Sequence, residues 1–245
     1  MNREEAVLRE LNLYPLWKLR EGNGATIGQR EIAPVSAQMP VLTGAVNKAA
    51  PGKSREQLIS ELGWPELKVM VRGCTACKLR AGCTQTVFGV GDEKAGWLFV
   101  GEGPGADEDA LGEPFVGQAG KLLDNMLVAI ELKRGSNVYI ANIVKCRPPG
   151  NRTPEPDEIA TCLPYLQKQI GLIQPKVIVA LGKTAATALL GREATLGSLR
   201  GKRHDYQGIP LIITYHPAYL LRTPSDKAKA WQDLCLAVET MKALM

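Results

Sequence analysis

Trp97-Leu98-Phe99-Val100 runs straight into Gly101-Glu102-Gly103-Pro104-Gly105, and this stretch decides the fold. A short apolar run closed by a glycine turn reads as a buried strand whose carboxyl end opens into a loop. Three more such runs follow: Val138 to Val144, Lys176 to Leu181 and Pro210 to Thr214. Helical patterns separate them, at Leu122, Leu123, Met126, Leu127 and Ile130, at Leu163, Leu166, Ile170 and Ile173, and from Ala185 to Leu190. A final one covers Lys227 to Leu244, with Trp231, Leu234 and Val238 on one face. Alternating strands and helices imply right-handed crossovers, hence a mostly parallel four-stranded sheet covered on both faces. Ligands in such folds sit beyond the carboxyl ends of the strands. Those ends carry Gly101 to Gly105, Asn142 and Cys146, Gly182, and His216-Pro217.

Upstream of the sheet the chain changes character. Residues 1–22 form an amphipathic segment, with Leu8, Leu11 and Leu13 leading into Tyr14-Pro15-Leu16-Trp17. Residues 23–53 read as a flexible linker, because from Gly24 to Gln57 there is no aromatic residue or cysteine and Pro34, Pro40 and Pro51 interrupt small polar residues. Such a composition buries too little apolar area to offset the entropy of ordering it. The remaining domain, 54–245, opens with Ser54 to Gln57, a capping box ahead of Leu58, Ile59 and Leu62, with Gly63 ending the helix.

The 245 residues, 45% hydrophobic and 22% charged, suffice for one sizeable α/β core. A net charge of +5 permits a polyanionic partner without requiring one. No apolar run approaches the roughly 20 residues that cross a bilayer, and the first ten residues lack the apolar core of a signal peptide. A cytoplasmic protein with no membrane association is therefore expected.

Six cysteines are too sparse for a disulfide scaffold in a chain this long. Cys74-x2-Cys77 has the spacing of half a metal site, and Cys146 with Cys162 supplies a second pair. Four thiolates suit either a structural zinc or a [4Fe–4S] cluster. Cys83 lies close enough to Cys77 to compete as a ligand, whereas Cys235 falls on the apolar side of the last helix and reads as an inert core thiol.

Gly101-x-Gly103-x-x-Ala106 after a strand satisfies a loose dinucleotide fingerprint, which raises a nucleotide-dependent oxidoreductase. Two features oppose it. Pro104 stiffens the turn where amides should face a pyrophosphate, and Asp107, Glu108 and Asp109 place negative charge at the helix start. Those acids read as helix N-terminal carboxylates. Glu102 differs, because it follows the strand directly into the cleft.

Gly101 to Gly105, Gly112-Glu113-Pro114-Phe115-Val116-Gly117, Asn142 to Pro149 (NIVKCRPP) and His216 to Arg222 (HPAYLLR) together resemble the family 4 uracil-DNA glycosylases, iron–sulfur members of their superfamily. The match covers about residues 70 to 243, with four motifs in order. It implies a three-layer αβα domain that excises uracil from DNA and carries a [4Fe–4S] cluster on Cys74, Cys77, Cys146 and Cys162, leaving Cys83 and Cys235 outside the ligand set. Gly103 fits the family loop, which has no aspartate there to activate water. A related branch that bonds covalently to uracil-DNA has a basic, histidine-containing insertion after Pro-Phe-Val-Gly. Here Gln118-Ala119-Gly120-Lys121 follows directly, which disfavours that branch.

The resemblance assigns roles that the residue types can perform. A stacked base must be extruded before it is read. Phe115, one of three phenylalanines, sits in a Gly/Pro-rich loop where its ring can stack on uracil, the bland alternative being a core anchor. Asn142 offers an acceptor for uracil N3–H and a donor for O4, a pattern that cytosine does not match. His216, one of two histidines, is the expected donor to O2 of the departing base, while His204 belongs to a basic, solvated turn. Glu102 is expected to hold water or oppose the sugar cation. Leu220, Leu221 and Arg222 are the expected wedge into the duplex, and phosphates are expected around Lys145-Cys146-Arg147, Arg200 to Arg203 and Arg222. The expected partner is uracil-containing DNA, bound by a monomer, with residues 1–20 as a docking element for a repair or replication protein. A non-catalytic iron–sulfur protein that binds uracil-containing or damaged DNA is the alternative.

Overall fold

The computed structural model describes residues 53–244. The amphipathic N-terminal segment, and all of the expected linker except its last residue, lie outside the described residues. The helices are α1 (Arg55–Glu61), α2 (Trp64–Arg72), α3 (Leu79–Gly82), α4 (Ala106–Leu111), α5 (Gln118–Ala129), α6 (Pro156–Ile173), α7 (Lys183–Leu190), α8 (Leu196–Leu199), α9 (Pro217–Arg222) and α10 (Lys227–Lys242). The strands are β1 (Val90–Gly91), β2 (Trp97–Gly101), β3 (Val138–Asn142), β4 (Val177–Leu181), β5 (Arg203–Tyr206) and β6 (Ile209–Thr214), in the sheet order β1-β3-β2-β4-β6-β5.

Four central strands, β3, β2, β4 and β6, run parallel as expected. The sheet is nevertheless six-stranded and mixed, not four-stranded, because β1 and β5 pair antiparallel at its two edges. Neither edge strand carries an apolar signature. β1 is two residues ending in glycine, and β5 is Arg-His-Asp-Tyr with only Tyr206 buried. His204, expected in a solvated turn, sits instead on β5 with Nε2 2.6 Å from the Leu199 carbonyl oxygen.

The period of two along each strand divides the core. Leu98, Val100, Tyr139, Ala141, Ile178, Ala180, Leu211 and Ile213 join buried residues of α1, α2, α6 and α7 on one face. Trp97, Phe99, Val138, Ile140, Val177, Val179 and Ile212 meet α5 and α10 on the other. Burial on both faces is why these strands read as nearly continuous apolar runs. In α10 the buried stripe is Ala230, Leu234, Ala237 and Met241. Trp231, one position off that stripe, is 47% exposed, and Cys235 is only half-buried.

The Ser54 capping box is present, with Ser54 Oγ accepting from Gln57 N–H and the Gln57 side chain accepting from Ser54 N–H. Gly63 does not end that helix: Leu62 is its C-cap, and Gly63 is the N-cap of α2. Among the described residues no helix is long and apolar enough to cross a membrane.

Candidate active site

Strand β2 pairs with β3 on one side and β4 on the other, so the sheet order reverses at its carboxyl end. Such a switch point leaves a crevice. A cavity of about 460 Å³ occupies it, lined by Glu102, Gly103, Phe115, Asn142, His216 and Arg222, among others. Residues expected to act together from four separate motifs thus share one wall. Gly101 pairs in register with Asn142, and a β-carbon on Gly101 would fall 2.4 Å from Asn142 Oδ1 and 2.5 Å from Phe115 Cζ. Only glycine lets that ring and that amide occupy the strand end together.

Asn142 is 2% exposed, and among the described residues its Oδ1 has no hydrogen-bond partner. Leaving a buried amide oxygen unpaired costs about 1–3 kcal/mol. Its backbone carbonyl is occupied, accepting from Lys145 Nζ at 2.9 Å.

Phe115 is buried at the cavity wall, its ring centroid 5.5 Å from that of His216 with the planes tilted by 32°. His216 is the N-cap of α9, and its Nδ1 accepts the Ala218 N–H at 3.1 Å. That bond assigns the proton of the neutral ring to Nε2. Burial, aided by the Arg222 charge and opposed by Glu108, pushes the imidazole down to about 4, so the ring is neutral at pH 7. Gly182 makes room for it: its φ is +94°, and a β-carbon there would lie 3.1 Å from His216 Cβ.

Glu102 lines the same wall, and its Oε2 accepts from Thr184 Oγ1 on α7. Thr184 carries no motif signal, so sequence reasoning missed it. It also missed Asn151, Arg152 and Thr153, which line the rim. Arg152 is held by a two-pronged bond to the buried carboxylate of Glu158, at 2.9 and 2.7 Å.

The expected wedge divides. Leu220 is 1% exposed and belongs to the interior, whereas Leu221 is 44% exposed and Arg222 is exposed beside the cavity. The helical turn of α9 sends Leu220 inward, so only Leu221 and Arg222 are presented to a ligand. Lys145 is also turned inward at 1% exposure, with Nζ bonded to Gln169 Oε1 at 2.7 Å and to the Asn142 carbonyl, so it is not a phosphate contact. Arg200 is committed to Asp233 and to the Lys229 carbonyl. Burial pushes the Lys145 ammonium down to about 8, opposed by the Cys162 sulfur.

A second pocket lies under α6. Cys74, Cys77, Cys146 and Cys162 all line it, with Leu79 and Tyr165 closing its apolar part. Lys145 N–H donates to Cys162 Sγ at 3.2 Å, and the Arg55 guanidinium stands 3.9 Å from Cys74 Sγ. Burial pushes the Cys77 and Cys146 thiols up and Cys162 up to about 11. Cys83 is outside this lining, its Sγ 3.6 Å from Arg80 Nη1. Among the described residues no three His, Cys, Asp or Glu side chains stand ready to share one metal ion.

A family model described as the uracil DNA glycosylase superfamily matches residues 88–235. The chain is 45% identical over 181 residues to a type-4 uracil-DNA glycosylase of Pyrobaculum aerophilum, covering 70% of this chain and 91% of that protein. It is 47% identical over 161 residues to the type-4 uracil-DNA glycosylase of Thermotoga maritima, covering 65% and 83%. A type-5 uracil-DNA glycosylase of Thermus thermophilus is 33% identical over 149 residues, covering 53% of this chain and 68% of that protein.

Proposed function

The chain belongs to the uracil DNA glycosylase superfamily, and we infer that it is a DNA-repair hydrolase that extrudes uracil from DNA and cleaves its N-glycosidic bond, leaving an abasic site. The observation that carries this reading is that Asn142, whose buried Oδ1 has no hydrogen-bond partner among the described residues, lines a cavity shared with Phe115 and His216. A buried orphan acceptor has a cost in the empty protein, and uracil N3–H relieves it while the amide N–H₂ serves O4. Cytosine offers an acceptor at N3 and leaves Oδ1 unpaired. Phe115 supplies a stacking face for the extruded base.

Bond cleavage sends the C1′–N1 electron pair into the uracil ring, where charge gathers on O2, and leaves positive character on the sugar. His216, neutral and protonated on Nε2, donates a hydrogen bond to O2 as charge develops there. The Glu102 carboxylate, fixed on one oxygen by Thr184, opposes the sugar charge and orients the water whose oxygen bonds to C1′, the proton that water releases ending on the departing uracil anion. Leu221 fills the stack left by the extruded base, and Arg222 meets backbone phosphate at the rim.

Cys74, Cys77, Cys146 and Cys162 are the residues that would hold a [4Fe–4S] cluster. Their convergence on one pocket supports this. Donors already directed at Cys74 and Cys162 suit sulfur in its anionic form. Bound there, the group would cross-link the segment before α3, the loop after β3 and α6 and supply a redox-active centre.

The test is incubation with a uracil-containing oligonucleotide followed by alkali. Scission at the uracil position only after alkali is expected. Tight binding without abasic sites would establish the non-catalytic reading instead.

A further inference from the structure

We propose that Arg134, which no motif singles out, is a positioning residue that holds Phe115 in its uracil-stacking pose. The proposal rests on the stacking role assigned to Phe115 above. Phe115 has a φ of +56°, a left-handed conformation that a bulky aromatic residue avoids because its β-carbon crowds its own backbone. Such a residue persists only where its surroundings over-determine it.

Those surroundings grip the loop from both sides. Arg134 Nη1 donates to the Pro114 carbonyl at 2.9 Å and Nη2 to the Phe115 carbonyl at 2.7 Å. Its third arm, Nε, donates to Asp124 Oδ1 at 2.9 Å, which fixes the plane of the guanidinium from α5. On the amide side, Glu108 Oε1 accepts from Val116 N–H at 2.9 Å and Gly117 N–H at 3.1 Å, while Oε2 accepts from Gly105 N–H at 3.0 Å. Two carbonyls and two amides across four consecutive residues are thus taken by one cation and one anion. Glu108 also ties the strap to the loop after β2.

The Phe115 carbonyl that Arg134 takes lies against α5 so closely that a β-carbon on Gly120 would fall 1.8 Å from it. Releasing that carbonyl lets the peptide rotate and the residue leave the left-handed region. The ring then leaves the wall it shares with His216. Arg134 is not itself among the residues that line the cavity, and the lining residue it holds is Phe115. Its effect on substrate must therefore pass through Phe115.

The test compares affinity for a duplex carrying 2′-fluoro-2′-deoxyuridine, whose fluorine destabilises the sugar cation and blocks cleavage, with affinity for the same duplex carrying a tetrahydrofuran abasic analogue. The ratio isolates recognition of the base. Phe115→Ala is expected to lower it by about ten- to a hundredfold, the range of base–aromatic stacking. Arg134→Met should lower it to a similar extent, Arg134→Lys should fall between, and the Phe115→Ala, Arg134→Met double variant should lose no more than Phe115→Ala alone. Asp124→Asn, which loosens only the third arm, provides a milder variant and should give a smaller loss in the same ratio. A purely structural Arg134 would lower both affinities together and leave the ratio unchanged, and additive losses in the double variant would equally overturn the proposal. If Phe115→Ala leaves the ratio intact, the stacking reading falls and this proposal with it. If Phe115→Ala lowers the ratio and neither Arg134 variant does, only this proposal falls.

Discussion

His216 Nδ1 accepts the Ala218 N–H at 3.1 Å, and this one bond decides which nitrogen carries the proton. Burial and the Arg222 charge hold the ring's pKa at about 4, below its usual 6.5. Nitrogen-15 spectra should therefore show a neutral ring protonated on Nε2 at pH 7, with no titration until the pH approaches 4. A midpoint near 6.5 with both nitrogens protonated would refute the assignment. Between about 4 and 6.5 the unfolded chain binds a proton that the folded chain does not, so stability falls as pH drops through that window. His216→Ala should lower the single-turnover rate by about 10²–10³-fold, the usual loss of a principal oxyanion donor.

The orphaned Oδ1 of Asn142 makes a different prediction. Asn142→Leu removes an unpaired buried acceptor, so the empty protein should be no less stable, or more stable by up to about 1–3 kcal/mol. Affinity for uncleavable uracil-DNA should fall by a comparable free energy, since uracil N3–H and O4 lose their partners. Thermal unfolding and equilibrium binding measured on the same variant give the two signs. A loss of stability without a loss of affinity would make Asn142 a structural residue.

Leu220 and Leu221 are neighbours with opposite fates. Leu220→Ala empties a buried site and should cost about 2–5 kcal/mol of stability while leaving the preference between single- and double-stranded uracil-DNA unchanged. Leu221→Ala should cost little stability and slow duplex processing more than single-strand processing, because a single strand has no stack to hold open. Equal losses by Leu221→Ala on both substrates would remove it from the wedge.

Why the sequence separated these two poorly has a physical basis. Strands buried on both faces declare themselves as apolar runs, so position alone put Glu102, Asn142 and His216 at strand ends beside the crevice, whereas the role expected of Asn142 leaned on the family resemblance. The two edge strands were not, because exposed pairing imposes no apolar pattern on Val90–Gly91 or Arg203–Tyr206. Leu220 and Leu221 differ only in the phase of a six-residue helix, which adjacent leucines do not encode. Lys145 reads as a surface cation until Gln169, on a distant helix, offers it a buried acceptor. Arg134, Glu108 and Thr184 act largely through backbone or single hydroxyl contacts, and such contacts leave no spacing to recognise.

The thiol pocket predicts a coloured protein. As purified it should contain about four irons per chain and absorb near 400 nm, as thiolate-bound clusters do in order of magnitude. Cys162→Ala should lose both iron and colour. Cys83→Ala should keep them, because Cys83, although beside Cys146, is not among the residues that line the pocket. One zinc per colourless chain, or loss of iron on changing Cys83, would overturn the ligand set.

The contact between Thr184 and Glu102 separates orientation from charge. Glu102→Gln keeps the side chain's shape and removes the charge that opposes the sugar cation, so its loss should fall on the single-turnover rate, with DNA affinity nearly unchanged. Thr184→Val keeps Glu102 charged but removes the hydroxyl that fixes one carboxylate oxygen, leaving the group free to rotate away from the sugar. Its rate loss should be about 10- to 150-fold, as expected for one hydrogen bond to a charged group at about 1.5–3 kcal/mol. Thr184→Ser restores a hydroxyl at that position and should recover most of the rate. Because both side chains act on the same carboxylate, adding Thr184→Val to Glu102→Gln should cost little more than Glu102→Gln alone. Rate measurements on these four variants decide the point: additive losses, or a Thr184→Ser variant no better than Thr184→Val, would mean that Thr184 supports α7 and leaves Glu102 to position itself.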